Sequence, residues 1–157
     1  ARNARAASEL SRQIREDQFS KEYLAVVHGR PESPEGTLRD LLARDKARRM
    51  TFVADAPGKG VQEAALSYRV LEYADGMSLV RVRLHTGRTH QIRVHMASIG
   101  HPLLGDSVYG PKKCPFPKLE GQTLHAMILG FVHPRTEEYI ETSAPLPEYF
   151  QRLLDLL

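Results

Sequence analysis

The clearest pattern along the chain is a period of two between Met77 and His85, where Val80, Val82 and Leu84 alternate with Arg81, Arg83 and His85. Successive strand side chains point to opposite faces, so this stretch predicts a strand with one apolar face for the core and one cationic face. Ala64–Tyr73 has the same strand character, and the glycine-bearing Ala74-Asp75-Gly76 between the two predicts a β-hairpin. Tyr23, Leu24, Val26 and Val27 predict an earlier strand within Phe19–His28, ended by Gly29-Arg30-Pro31. Arg49–Val53, Thr123–Val132 and Glu138–Thr142 are further strand candidates, the last two joined at His133-Pro134-Arg135.

In three places the period becomes helical. Ala6, Ala7, Leu10 and Ile14 line one face of Ala4–Glu16, with Arg2, Arg5, Arg12 and Arg15 largely elsewhere. Thr86-Gly87 breaks the cationic strand, Thr89 is the expected N-cap of a helix with a buried stripe at Ile92, Met96 and Ile99, and Gly100 is its expected terminator. Tyr149, Phe150, Leu153, Leu154 and Leu157 form an apolar helical face in Pro147–Leu157. Between these elements, Pro31–Gly36, Ala54–Gly60 and the proline- and glycine-rich His101–Pro117 read as loops, with a short Leu38–Leu42 segment and a solvated basic Arg44–Arg49. The expected architecture is α+β, a mixed and largely antiparallel central sheet with flanking helices, in a single domain over residues 1–157.

Length agrees with that picture. At 157 residues the chain can bury a core without disulfide or metal staples. Cys114 is its only cysteine, sits between Lys113 and Pro115 with no oriented base in view, and excludes an intrachain disulfide or a thiolate cluster. No apolar run approaches a membrane span, and Ala1–Asp17 lacks the apolar stretch of a secretory signal, so a cytoplasmic protein with no membrane partner is expected. Twenty-two Lys and Arg against 19 Asp and Glu give a net charge of only +3. Clustering matters more than that total: from Gly76 to Gly105 there is no acidic residue, while Arg81, Arg83, Arg88, Arg93, His85, His90, His95 and His101 all fall there. Uncompensated positive charge of this kind suits a polyanion such as RNA.

The densest chemistry lies in Thr-Gly-Arg-Thr-His-Gln-Ile-Arg-Val-His at positions 86–95. Extended by Met96-Ala97 and by Gly-His-Pro-Leu-Leu-Gly-Asp-Ser-Val-Tyr-Gly at 100–110, it resembles the signature of RluA-type pseudouridine synthases. Lys21-Glu22-Tyr23-Leu24-Ala25-Val26-Val27-His28-Gly29 resembles that family's second motif, and Leu124-His125-Ala126 with Phe131-Val132-His133-Pro134 resembles its later strand. The resemblance implies an RNA isomerase that detaches uracil from a uridine in ribosomal or transfer RNA, turns it and rejoins it through C5, using an aspartate and neither metal nor organic cofactor. It assigns Tyr23 to stacking on the target base and assisting proton removal at C5. Arg93 takes the position that pairs with the catalytic aspartate. Arg81, Arg83, Arg88 and His90 are the expected RNA contacts, and a monomer is favoured.

In one respect the chain departs from the family pattern. The family's aspartate lies in a His-Arg-Leu-Asp segment followed by Thr-Ser-Gly, upstream of a helix resembling Ala1–Arg15, and no aspartate of this chain has that context. Asp106 fits the Gly-Asp pattern instead. The expectation is therefore the carboxy-terminal part of a synthase catalytic domain, inactive alone, with a vacancy beside Arg93 and with Arg93→Ala abolishing activity while leaving the fold nearly intact. A non-catalytic RNA-binding protein on a degenerate synthase scaffold is the alternative. A metal-dependent hydrolase using the histidines is weaker still. His90 and His95 are five apart, about 140° round a helix, and there is no His-Glu-x-x-His arrangement.

Overall fold

The computed structural model describes residues 3–113, 119 and 121–156. The readings made above for Arg2, Cys114, Pro115, Pro117 and Leu157 lie outside the described residues. The order of elements is α1 (Ala4–Arg15), β1 (Ser20–His28), β2 (Glu35–Asp45), β3 (Met50–Val53), β4 (Val61–Ala74), β5 (Met77–Leu84), α2 (Gln91–Ser98), β6 (Leu124–Val132), β7 (Tyr139–Ser143) and α3 (Glu148–Leu154). The strands form one seven-stranded sheet in the order β3-β2-β4-β5-β1-β6-β7, and every neighbouring pair is antiparallel. This is the α+β architecture expected from the alternation of strand and helix periods.

The hairpin between β4 and β5 closes at Asp75-Gly76, both with positive φ, the backbone required by a tight two-residue turn that follows the twist of the strands. The short Leu38–Leu42 segment lies within the eleven-residue β2, and the basic run at 44–49, expected as a solvated face or edge, is the end of β2 and the exposed turn into the edge strand β3. Arg39, Arg44 and Asp45 are outer positions of a hydrogen-bonded hairpin, a pairing that local charge hides.

Alternation divides the sheet into two apolar faces. Ala25, Val27, Val80, Val82, Leu84, Leu66 and Tyr68 pack on one side with Ile92 and Met96 of α2. Leu24, Val26, Met77 and Leu79 pack on the other with Phe150 and Leu153 of α3, each buried side chain contributing about 1.5–3 kcal/mol over exposure. The glycine- and proline-rich loop after α2 is no surface loop at its centre. Leu103 and Leu104 are buried, Leu103 bridges to Val27, and Leu104 N–H donates to Val26 O. In α1 the expected apolar stripe is only partly used: Ile14 is 46% exposed, whereas Gln13 is buried, donating to Val132 O at 2.9 Å and accepting from Val132 N–H at 3.0 Å. An amide completes both backbone bonds of one β6 residue, so α1 is docked by polar pairing where apolar burial was expected.

Candidate active site

The turn from β5 into α2 is held by one side chain. Gln91, the first residue of α2, is buried; its amide oxygen accepts from the Thr86 hydroxyl at 2.7 Å and from Arg88 N–H at 2.9 Å. Its amide nitrogen donates to Ala65 O at 2.9 Å, while Ala65 N–H donates to Thr86 Oγ1 at 2.9 Å. Thr86 and Gln91 thereby satisfy β4 backbone groups past the end of the β5 ladder and fix the path of Arg88 between them. Thr89 is not the N-cap. His90 holds that position in the left-handed region at φ 56°, without a side-chain cap, and its ring turns towards Tyr109.

The Tyr109 hydroxyl accepts from Thr51 N–H at 2.8 Å and lies 2.9 Å from His90 Nδ1. A phenol oxygen donates once and accepts on either lone pair, so His90 Nδ1 shares one hydrogen with it, as acceptor or donor according to the ring tautomer. Burial lowers the His90 pKa and the Arg93 charge lowers it further, so both favour the neutral ring.

One helical step on, Arg93 meets Asp106. Nε donates to Oδ2 and Nη2 to Oδ1, each at 2.7 Å, with the side chains 10% and 0% exposed. Asp106 Oδ1 also accepts from Val108 N–H at 2.9 Å and Tyr109 N–H at 3.0 Å. Burial alone would raise the Asp106 pKa, but the Arg93 bonds and the two backbone donors together hold it below the usual carboxylate range. The same bonds raise Arg93. The Tyr109 ring centroid lies 5.0 Å from the guanidinium carbon, adding a cation–π contact. Gly105 delivers the aspartate: its φ is +71°, and a Cβ there would collide with the Gly121 carbonyl.

The expected vacancy beside Arg93 is thus corrected: a carboxylate thirteen residues downstream already occupies two of its nitrogens. Nη1 is the guanidinium nitrogen left over. Sequence reading placed Asp106 in the family's Gly-Asp pattern without linking it to Arg93, and it missed Tyr109 and Gln91. The available signal was that all four residues stand in the same two motif segments.

Tyr23 projects from β1 on the α2 side of the sheet, half-buried against the cluster that includes Ile92 and Met96, and burial raises its pKa. Tyr23 and Arg93 therefore belong to the same side of the molecule. Arg88, whose Nε donates to Glu63 O at 3.0 Å, stands at the β5–α2 turn, and His90 opens α2. Arg81 and Arg83 are not brought together with them: alternation along β5 sets both on the opposite face, where Arg81 Nε donates to Glu22 Oε2 at 2.7 Å and Arg83 lies across from Ser67 and Glu22. The histidines are likewise dispersed, His95 buried near Asp40 and His101 Nδ1 donating to His28 O, and no group of metal-holding side chains occurs among the described residues.

A family model described as RNA pseudouridylate synthase matches residues 1–98. The RNA pseudouridine synthase YlyB of Bacillus subtilis is 44% identical over 157 residues, covering 100% of this chain and 50% of that protein. The ribosomal large subunit pseudouridine synthase D of Zymomonas mobilis is 40% identical, covering 94% of this chain and 48% of its own length. Among solved structures, human RNA pseudouridylate synthase domain containing 1 superposes with a TM-score of 0.77 at 29% identity, over 94% of this chain and 62% of that one. The chain spans about half the length of the curated relatives it matches.

Proposed function

The chain belongs to the RNA pseudouridylate synthase family, and on that premise we propose that it is the part of an RNA isomerase carrying the base-stacking tyrosine and the carboxylate-orienting arginine. The reaction breaks the bond between C1′ and N1 of a uridine, turns the uracil, forms a bond from C1′ to C5, takes the proton from C5 and leaves one on N1, so that no atom is gained or lost. The substrate is a uridine in structured ribosomal or transfer RNA, met in the cytoplasm by a monomer.

The observation that carries this reading is the common placement of Tyr23 and Arg93 on the α2 side of the sheet, with Arg88 and His90 at the turn beside them. A phenol ring offers stacking area for an extruded base. Arg93, held through Nε and Nη2 by Asp106, presents Nη1 in a fixed direction to a second carboxylate, which a His-Arg-Leu-Asp segment would supply. Arg88 and His90 border the target base and contact the backbone around it. Arg81 and Arg83 meet RNA on the other face, away from the reacting uridine, where phosphate contacts add affinity without chemistry.

The test joins these residues to an upstream His-Arg-Leu-Asp segment and assays cellular RNA for pseudouridine. Product that vanishes when that aspartate becomes asparagine supports the reading. Retained RNA binding with no isomerisation of any RNA overturns it in favour of a binding protein.

A further inference from the structure

Lys21 precedes Tyr23 by two residues on β1 and pairs with Leu129 of β6, just beyond the Glu22 end of the β5 register, so strand alternation sets the two side chains on the same face about 7 Å apart. Among the described residues no hydrogen-bond acceptor reaches the Lys21 ammonium, although Nζ is shielded from solvent. An ammonium removed from water without a partner is costly, and here burial lowers its pKa while the nearby Arg88 charge lowers it further. The Asp17 charge opposes this more strongly than the Arg88 charge adds to it, but that carboxylate does not bond Nζ and its Oδ2 lies 3.1 Å from His85 Nδ1. Lys21 and Arg88 therefore stand close enough to repel, and the Asp17 carboxylate that favours a charged Lys21 is engaged at His85 rather than bonded to Nζ.

We propose that Lys21 is an oxyanion-binding residue of this site, its ammonium acting with the Arg88 guanidinium to hold a carboxylate or phosphodiester oxygen brought against the Tyr23 face of the sheet. The inference rests on the synthase reading for what the anion accomplishes, but the anion site itself stands on the unpartnered ammonium. The oxyanion repays the desolvation of Lys21, so the pocket is complete only when that group is bound. Its two sources are the aspartate of the upstream segment and the backbone of the RNA that carries the target uridine.

The test follows the 13Cε resonance of Lys21, assigned through Lys21→Arg, as a function of pH. In the 157-residue chain it should titrate below the ordinary lysine value of 10.5. A rise on adding inorganic phosphate or uridine 5′-monophosphate, but not uridine, assigns the site to a phosphodiester. A rise in the protein joined to the His-Arg-Leu-Asp segment, reversed by Asp→Asn there, assigns it to the carboxylate. No rise in either case overturns the proposal. In the joined protein, Lys21→Met should lower kcat/KM about 10- to 100-fold, with Lys21→Arg recovering part of it. An active wild type that Lys21→Met leaves unchanged sinks the lysine assignment alone, whereas an inactive wild type sinks the synthase reading and leaves the resonance to decide this one.

Discussion

Arg93 and Asp106 are joined by two parallel 2.7 Å hydrogen bonds in a place almost closed to water. Removing either partner strands the other charge inside the protein, so Asp106→Ala and Arg93→Ala should each cost about 3–5 kcal/mol in urea denaturation. Arg93→Ala should therefore lose stability along with activity, where the sequence alone led to the expectation of a nearly intact fold. The joint replacement Arg93→Met with Asp106→Asn, whose Oδ1 can still accept from Val108 and Tyr109 N–H, should recover part of that loss while remaining inactive. A double variant no more stable than either single one would refute the pairing as the cause.

Tyr23→Phe separates stacking from proton removal. The ring is retained, so in the joined enzyme KM should change little while kcat falls about 10²- to 10⁴-fold. Burial raises the Tyr23 pKa, so the pH–rate profile should show no tyrosine ionisation below the ordinary phenol value of 10.0. An unaltered kcat in the Phe variant would leave the residue only a stacking surface.

Gln91→Ala takes away the amide that ties the β5–α2 turn to β4. Ala65 O loses one donor but keeps His85 N–H and Thr86 N–H, so that bond should cost about 0.5–1.5 kcal/mol. Arg88 N–H loses its acceptor as well, so its hydrogen exchange should accelerate more than that of Val82 in the adjacent strand. Equal protection at both amides would show that the turn is held by something else.

His95 has no exposed side-chain surface; burial lowers its pKa, and Asp40, 3.5 Å away, opposes this less strongly. The unfolded chain therefore binds a proton more readily than the folded one. The stability tied to neutral His95 is complete above the ordinary value of 6.5 and is lost as pH falls from there towards the folded pKa. The expected slope approaches about 1.4 kcal/mol per pH unit within that window. His28 and His90, also lowered by burial, act in the same direction. Chemical denaturation of His95→Gln should show a shallower slope between pH 6.5 and 5 than the parent chain.

Much of the fold was legible because it rests on local periodicity. The alternation at Val80, Val82 and Leu84 reports a half-buried strand directly, and Asp75-Gly76 can only be a tight turn between two such strands. The failures share a cause. Ile14 was expected in the core and Gln13 went unnoticed because what each side chain meets is set by a segment over a hundred residues away, and the length of β2 was missed because a partner strand sets it; neither leaves a local period.

The motif at 86–95, with Tyr23 in its own motif, was enough to name the family and the residue types its chemistry needs. Side-chain geometry was beyond it. Only folding brings Asp106 from a loop onto Arg93, turns Tyr109 over the guanidinium and sends Arg81 and Arg83 to the far face of the sheet. The physical reason is that identity and spacing fix which groups a chain carries and which face of a strand they take. Pairing of buried charges is decided by the enclosed, low-dielectric space that distant segments create, and that space exists only once the sheet is built.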